Sequence, residues 1–421
     1  MRALGTRQLA AAVVNTTVGA GIFVIPALVS QNLGAAAPLA FLVCAAIMAL
    51  IITTIAVAGS RVSRTGGIYA YVEVAFGPYV GFLAGVLQWL TGLLAVSGVA
   101  TAMIDQAATM APAVGAGPVR GAVLAAIFAT LAAFNVRGVR TGTRVIEAVT
   151  VAKLGPLLIF VAIGAFFVDP QALAWPALPD TGAVGRSALL LIFAFSGVEV
   201  AIAPSGEVKD PSRTVPRALF IALAVTTALY LAIQLVAQGV LGEELSSRTA
   251  SPLADAAARF LGPTGRGLLL LGAVCSMFGY LSGDMLSSPR NMYALAREGF
   301  LPRIFARIDP AWRTPRHAIW THAALVTLLA SVSTFQALAI IANVGLLMLY
   351  LLCCGAALEL TRRDVREDGV PFAGPATRIA PILGAALMLA ILTTATGKEI
   401  GITATVLAVA TVIYMVRGAK V

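Results

Sequence analysis

Charge is scarce in this chain. Of 421 residues only 11% are Asp, Glu, Lys or Arg, against 59% hydrophobic, which leaves too little polar surface to coat a string of soluble domains. Cysteine is rare too: Cys44, Cys275, Cys353 and Cys354 all fall in apolar runs, where they act as small apolar side chains and not as a disulfide framework. The two histidines, His317 and His322, have no cysteine nearby, so no metal site is expected. There is no HExxH, no serine and histidine at matching depth and no glycine-rich phosphate loop, so no enzymatic chemistry, catalytic residue or cofactor is expected. Ser282-Gly283-Asp284 is only faintly like an intramembrane aspartyl protease, because Leu281 stands where that pattern needs glycine and no Tyr-Asp pair supplies a second aspartate.

What the chain does have is apolar runs of a length that matches a ~30 Å hydrocarbon slab. Hydropathy predicts an all-α polytopic membrane protein with twelve spans, over 9–32, 38–59, 79–106, 120–135, 145–168, 187–208, 217–241, 266–289, 317–333, 336–359, 379–396 and 400–416. The start of the chain is like a signal peptide only superficially, since its apolar stretch is long and interrupted and shows no convincing cleavage site. The net charge of +10 does not gather into a basic face for nucleic acid. Of the 29 Lys and Arg residues, six (Arg120, Arg186, Arg248, Arg259, Arg266, Lys398) fall on one side of the predicted membrane and 22 on the other, with Lys153 inside it. That bias predicts both termini in the cytoplasm of a cell inner (plasma) membrane.

The first and sixth spans are interrupted by small residues, Thr16-Thr17-Val18-Gly19-Ala20-Gly21-Ile22 and Ser196-Gly197-Val198-Glu199. Backbone that leaves a helix inside a bilayer strands polar groups at several kcal/mol each, so it persists where those groups face a cavity and bind something. A helix restarting after Gly19-Ala20-Gly21 points free amides and a partial positive charge at that cavity, as a carboxylate requires. A helix stopping at Ser196-Gly197 presents carbonyls and a partial negative charge, suited to an ammonium group. The two sockets together fit an α-amino acid; the competing reading of such glycines is close helix packing.

The spans fall into two groups of five, each with a broken helix first, and then two more, which suggests an inverted repeat of residues 1–168 against 187–359, with 379–416 as an addition. Residues 61–78 read as a short interfacial helix and 243–264 as a polar segment over the outer vestibule. Six arginines in 289–316 and four in 359–378 suit anionic membrane lipids. Gln88 and Asn343 read as interhelical hydrogen bonds.

The segments TVGAGIFVIPA (17–27), FAFSGVEVAIAPSGEVKDPSRTVPRAL (193–219) and SSPRNMYALAREGFLPRIFARIDPAWRTP (287–315) resemble those of the amino acid-polyamine-organocation (APC) transporters. The resemblance covers about the whole chain and implies a LeuT-like fold, a 5+5 inverted repeat with discontinuous helices 1 and 6, working by alternating access. It implies that amides around Gly19, Ala20 and Gly21 hold a substrate carboxylate, that carbonyls of Thr17, Phe193 and Ser196, beside Gly197, hold its amine, and that Phe193 is an aromatic gate. It also places Lys153 where sodium-coupled members of the fold keep a sodium ion, so no sodium site is expected.

Lys153 lies ~13 Å into its span by helical rise, too deep to snorkel easily. An intramembrane lysine marks function by default. Loss of its proton would release a contact to the first break, which makes proton coupling the leading reading and a permanently charged prop, in a facilitator or exchanger, the alternative. Glu199 either braces the second break or handles protons. Asp284 either faces the cavity, favouring a cationic amino acid or polyamine, or pairs with Lys153 or solvent; the small pocket residues otherwise favour a neutral or mid-sized amino acid. A channel would want a continuous polar path.

Overall fold

The computed structural model describes residues 5–418 apart from 63, 65, 139–142, 176–177, 198–210, 298, 368–370, 373 and 375, with side chains also left out at 143–151, 211–213, 376 and 417–418. Where solvent is oil, a peptide group must find its partner within its own segment, and Ala-, Leu- and Val-rich runs do so as helices. The described residues form helices and no strands: α1 Thr6–Thr17, α2 Gly21–Leu33, α3 Ala37–Gly59, α4 Ile68–Phe76, α5 Pro78–Ala108, α6 Gly117–Val136, α7 Thr143–Gly164, α8 Thr181–Phe195, α9 Pro211–Leu241, α10 Pro252–Arg297, α11 Arg316–Val332, α12 Phe335–Arg362, α13 Ala376–Leu392 and α14 Gly397–Gly418.

Seven segments among the described residues are long and apolar enough to cross a membrane: Gly21–Gly59, Pro78–Ala108, Gly117–Val136, Thr214–Ser247, Pro252–Arg297, Phe335–Arg362 and Gly397–Val416. Three shorter apolar helices, Ala152–Phe167, Thr181–Phe195 and Thr377–Leu392, fall in other predicted spans. Two reasons for the difference from twelve are physical, and a third is the extent of the described residues. The first predicted span is cut into α1 and α2, α2 runs on into α3 through a 3-10 turn at Gly34–Ala36, and the second half of the sixth lies outside the described residues.

The two loops singled out in the sequence have local structure. Residues 61–78 contain α4, as predicted from their amphipathic pattern. The polar stretch 243–264 becomes a 3-10 turn, Gly242–Ser247, and the first turns of α10, which bends at Gly262 (φ 62°) just ahead of Pro263. Glycine alone takes that φ without strain.

Close packing of small residues holds the helices together, as expected where burial from lipid supplies little drive. A Cβ at Gly272 of α10 would stand 2.8 Å from Pro156 Cγ and 3.1 Å from the Ala152 carbonyl of α7. Asn343 of α12 donates to the Leu189 carbonyl of α8 at 2.6 Å, the interhelical bond its sequence position suggested. Arg186 of α8 meets Glu399 of α14 through two parallel bonds of 2.8 and 2.7 Å, a fork geometry available to arginine and not to lysine.

Candidate functional site

The first break forms where α1 runs out of bonded carbonyls. Val18 N–H makes the last bond, to Val14 O at 2.9 Å, and ψ 87° at Val18 turns the chain out of the helix. Gly21 begins α2, with Phe23 N–H on Ala20 O at 3.1 Å. The second break begins at Ser196, whose N–H bonds Ile192 O at 2.8 Å before ψ swings to 162° and Gly197 takes φ 110°. A φ of this sign at Gly197 is strained for a residue with a Cβ.

The two breaks lie against each other. A Cβ on Gly21 would stand 2.9 Å from Ala194 Cα, and one on Gly197 would stand 3.3 Å from Thr16 Cγ2 and 3.4 Å from the Thr16 carbonyl. The amide end of α2 and the carbonyl end of α8 therefore face one neighbourhood, with partial charges of opposite sign. Gly19, Ser196 and Gly197 are half-buried there, while Val18, Ala20, Ile22 and Ala194 are buried.

Two side chains from other helices hold the end of α1. Tyr230 of α9, fully buried, places its hydroxyl 3.0 Å from Thr17 O and 3.0 Å from Ala194 O, so one proton is shared between a carbonyl of each broken helix. Its ring packs edge-on against Phe195, centroids 5.2 Å apart. Lys153 of α7, 7% exposed, donates from Nζ to the Asn15 carbonyl. The ammonium thus stands on the carbonyl-rich end of α1, where a cation is favoured electrostatically.

Of the residues singled out in the sequence, Thr17, Gly19, Ala20, Gly21, Phe193, Ser196 and Gly197 gather at this meeting point and Lys153 joins them. The carbonyls named for the amine already have donors: Thr17 O accepts from Tyr230, and Phe193 O accepts from Ser196 Oγ at 2.8 Å. Each carbonyl keeps a second lone pair. Thr17 Oγ1 is buried and has no partner among the described residues. The Phe193 ring stands edge-on to Phe335 of α12, centroids 5.3 Å apart.

Asp284 belongs to a different cluster. Its Oδ2 lies 2.8 Å from His322 Nε2 on α11 and its Oδ1 accepts from Ser288 at 2.5 Å; the lysine offered as its alternative partner is bonded to Asn15 instead. Glu199 lies outside the described residues. Among the described residues no three metal-ligating side chains gather.

Tyr230 was not singled out in the sequence. Its signal was present in the row Thr226, Tyr230, Gln234 and Gln238, polar groups every fourth residue along one face of an apolar helix. Tyr230→Phe keeps the volume and removes the shared proton, leaving two buried carbonyls without this donor. A stability loss of about 1–3 kcal/mol is expected, read as a lowered melting midpoint of the purified protein; an unchanged midpoint would show that the hydroxyl does not join the breaks.

The chain matches the family described as amino acid permease over residues 4–416. It is 28% identical over 406 residues to the methylthioribose transporter of Bacillus subtilis (strain 168), covering 92% of this chain and 87% of that protein. Two further proteins of the same organism are similar: the serine/threonine exchanger SteT, 28% identical over 387 residues with 89% and 86% covered, and the branched-chain amino acid permease BcaP, 25% identical over 385 residues with 86% and 82% covered.

Proposed function

This chain belongs to the amino acid permease family, a family of multi-pass membrane transporters and not of enzymes, and on that footing we propose that it is a sodium-independent, proton-driven transporter of neutral amino acids working by alternating access. The observation that carries the proposal is the meeting of α2's amide end with α8's carbonyl end at Gly21–Ala194, joined by the end of α1 at Thr16–Gly197. A zwitterion seated there places its carboxylate on the amides of Gly19, Ala20 and Gly21 and its ammonium on carbonyls near Ser196. Phe193 covers it.

Support for sodium independence comes from Lys153, whose amine donates to a carbonyl at the end of α1, where a metal cation would otherwise be favoured. A neutral side chain is favoured over a cationic one because both oxygens of Asp284 are engaged by Ser288 and His322. In this reading the twelve spans form a LeuT-like core of two inverted five-helix units, 1–168 and 187–359, followed by 379–416, with both termini cytoplasmic and the arginine-rich loops against anionic lipids. Exchange of one amino acid for another is the second reading, favoured by the likeness to the serine/threonine exchanger.

Single amino acids tested at millimolar concentration against the purified protein separate transport from other roles. A ligand at 100 times its Kd stabilises the folded state by about 2.7 kcal/mol, so at least one small neutral amino acid is expected to raise the melting midpoint. No shift with any amino acid, amine or methylthioribose would overturn the proposal. Uptake into proteoliposomes driven by an inward pH gradient supports proton coupling, whereas uptake that requires amino acid inside the vesicle supports exchange.

A further inference from the structure

We propose that Asp284 and His322 form an intramembrane proton-binding site, separate from the meeting point of the broken helices. The two titratable side chains come from different helices, α10 and α11, and stand 2.8 Å apart with 8% and 0% of their side-chain surface exposed. Ser288, one helical turn beyond Asp284 on the same face, donates to the other carboxylate oxygen at 2.5 Å. Each oxygen of the carboxylate therefore has a partner on a defined side chain. The imidazole is different: Nε2 faces Asp284, and Nδ1 is buried with no partner among the described residues.

That vacancy decides what the pair does. With Nε2–H on the carboxylate and Nδ1 bare, the unit carries one negative charge in a low-dielectric setting, which is costly. A proton taken up at Nδ1 converts imidazole to imidazolium, leaves the Nε2–H bond in place and makes the unit a neutral ion pair; loss of the proton from Nδ1 reverses the step. A narrow cleft lies near the pair in sequence without reaching it. It is lined by Asn135, Met285, Pro289, Arg290, Thr314 and Ile319, of which Met285 and Pro289 adjoin Asp284 and Ser288 in sequence and Ile319 lies one turn from His322. Arg290, at its rim, is exposed.

The charged groups on neighbouring elements have other engagements or positions. Lys153 of α7 is bonded to Asn15, and Asp105 of α5 is paired with Arg120 of α6 at 2.5 Å. Asp255 and Arg266 pair near the other end of α10, at 3.2 Å. Arg137 follows the end of α6, Arg217 stands near the start of α9, Arg303 and Arg307 lie in and just after a 3-10 turn that packs on α10, and Arg316 and His317 begin α11. Tyr280 lies one turn before Asp284 on α10. Among the described residues none of these groups is ion-paired to Asp284 or His322, which are ion-paired to each other.

The chain has only two histidines, which makes the test direct. Full-length protein labelled with ¹⁵N-histidine and carrying His317→Gln shows one imidazole by NMR, that of His322. Its signal is expected to change reversibly with pH as Nδ1 takes up and releases a proton. Asp284→Asn is expected to weaken its proton affinity at least tenfold, and Ser288→Ala, which strips a donor from the carboxylate, to strengthen it. A His322 signal that never titrates, or that titrates identically in all three proteins, overturns the site. The proposal deepens the proton-driven reading without sharing its fate. A titrating pair in a protein whose transport ignores pH gradients sinks proton coupling and leaves the site standing, and a silent pair in a protein driven by such gradients does the reverse.

Discussion

Uptake of amino acid by proteoliposomes is expected to fall by at least tenfold in Lys153→Met, while the unaltered protein transports at full rate without sodium. Methionine keeps most of the buried volume of the lysine stem and removes only the cation. The Asn15 carbonyl then loses its ammonium donor, and a hydrogen bond to a charged group is worth about 1.5–3 kcal/mol, equivalent to roughly ten- to 150-fold in an equilibrium that depends on it. Because Lys153 is on α7 and Asn15 on α1, the lost bond is one between a flanking helix and the broken one. The end of α1 is freed where α2's amides and α8's carbonyls must be held in register. Strict sodium dependence of the unaltered protein, together with undiminished uptake by Lys153→Met, would remove this residue from the mechanism.

Gly21→Val is expected to abolish transport in a protein that still reaches the membrane, and Gly21→Ala to reduce it. The added Cβ would lie 2.9 Å from Ala194 Cα and 3.0 Å from Ala194 Cβ. The obstacle is backbone of the second broken helix, which cannot rotate away as a long side chain can. Overpacking of this kind costs about 1–3 kcal/mol, and the strain falls where the two breaks touch. Gly401→Ala is the matched control, because a Cβ there meets nothing within 4 Å; it should leave uptake unchanged. Equal activity in Gly21→Val and the control would mean that contact between α2 and α8 does not shape the substrate site.

Much of this site was legible in the order of residues. Hydropathy located the apolar segments, and threonine and glycine clusters within two of them marked where the helix would stop. The stops fall at Thr17 and Phe195, inside or beside the clusters. Lys153 was legible for another reason, since a cation so deep in an apolar run must find a carbonyl or a carboxylate. Which one was not legible: Asn15 is 138 residues away. Asp284 shows the same limit. Its charge leaves two readings open in the sequence, a cavity-facing carboxylate or one paired with Lys153 or solvent, and His322, 38 residues on across a loop, has no pattern that ties it to the aspartate.

Local energetics therefore reside in the sequence itself: an apolar run becomes a helix and a small-residue cluster ends it, because each of these depends on residues within a few turns of one another. The pairings Tyr230 with Thr17 and Ala194, Lys153 with Asn15, and Asp284 with His322 belong to the assembled bundle. They depend on how helices rotate and slide against one another, and that is settled by close packing over the whole core, such as Gly21 on Ala194 and Gly272 on Pro156, with no trace in any one segment.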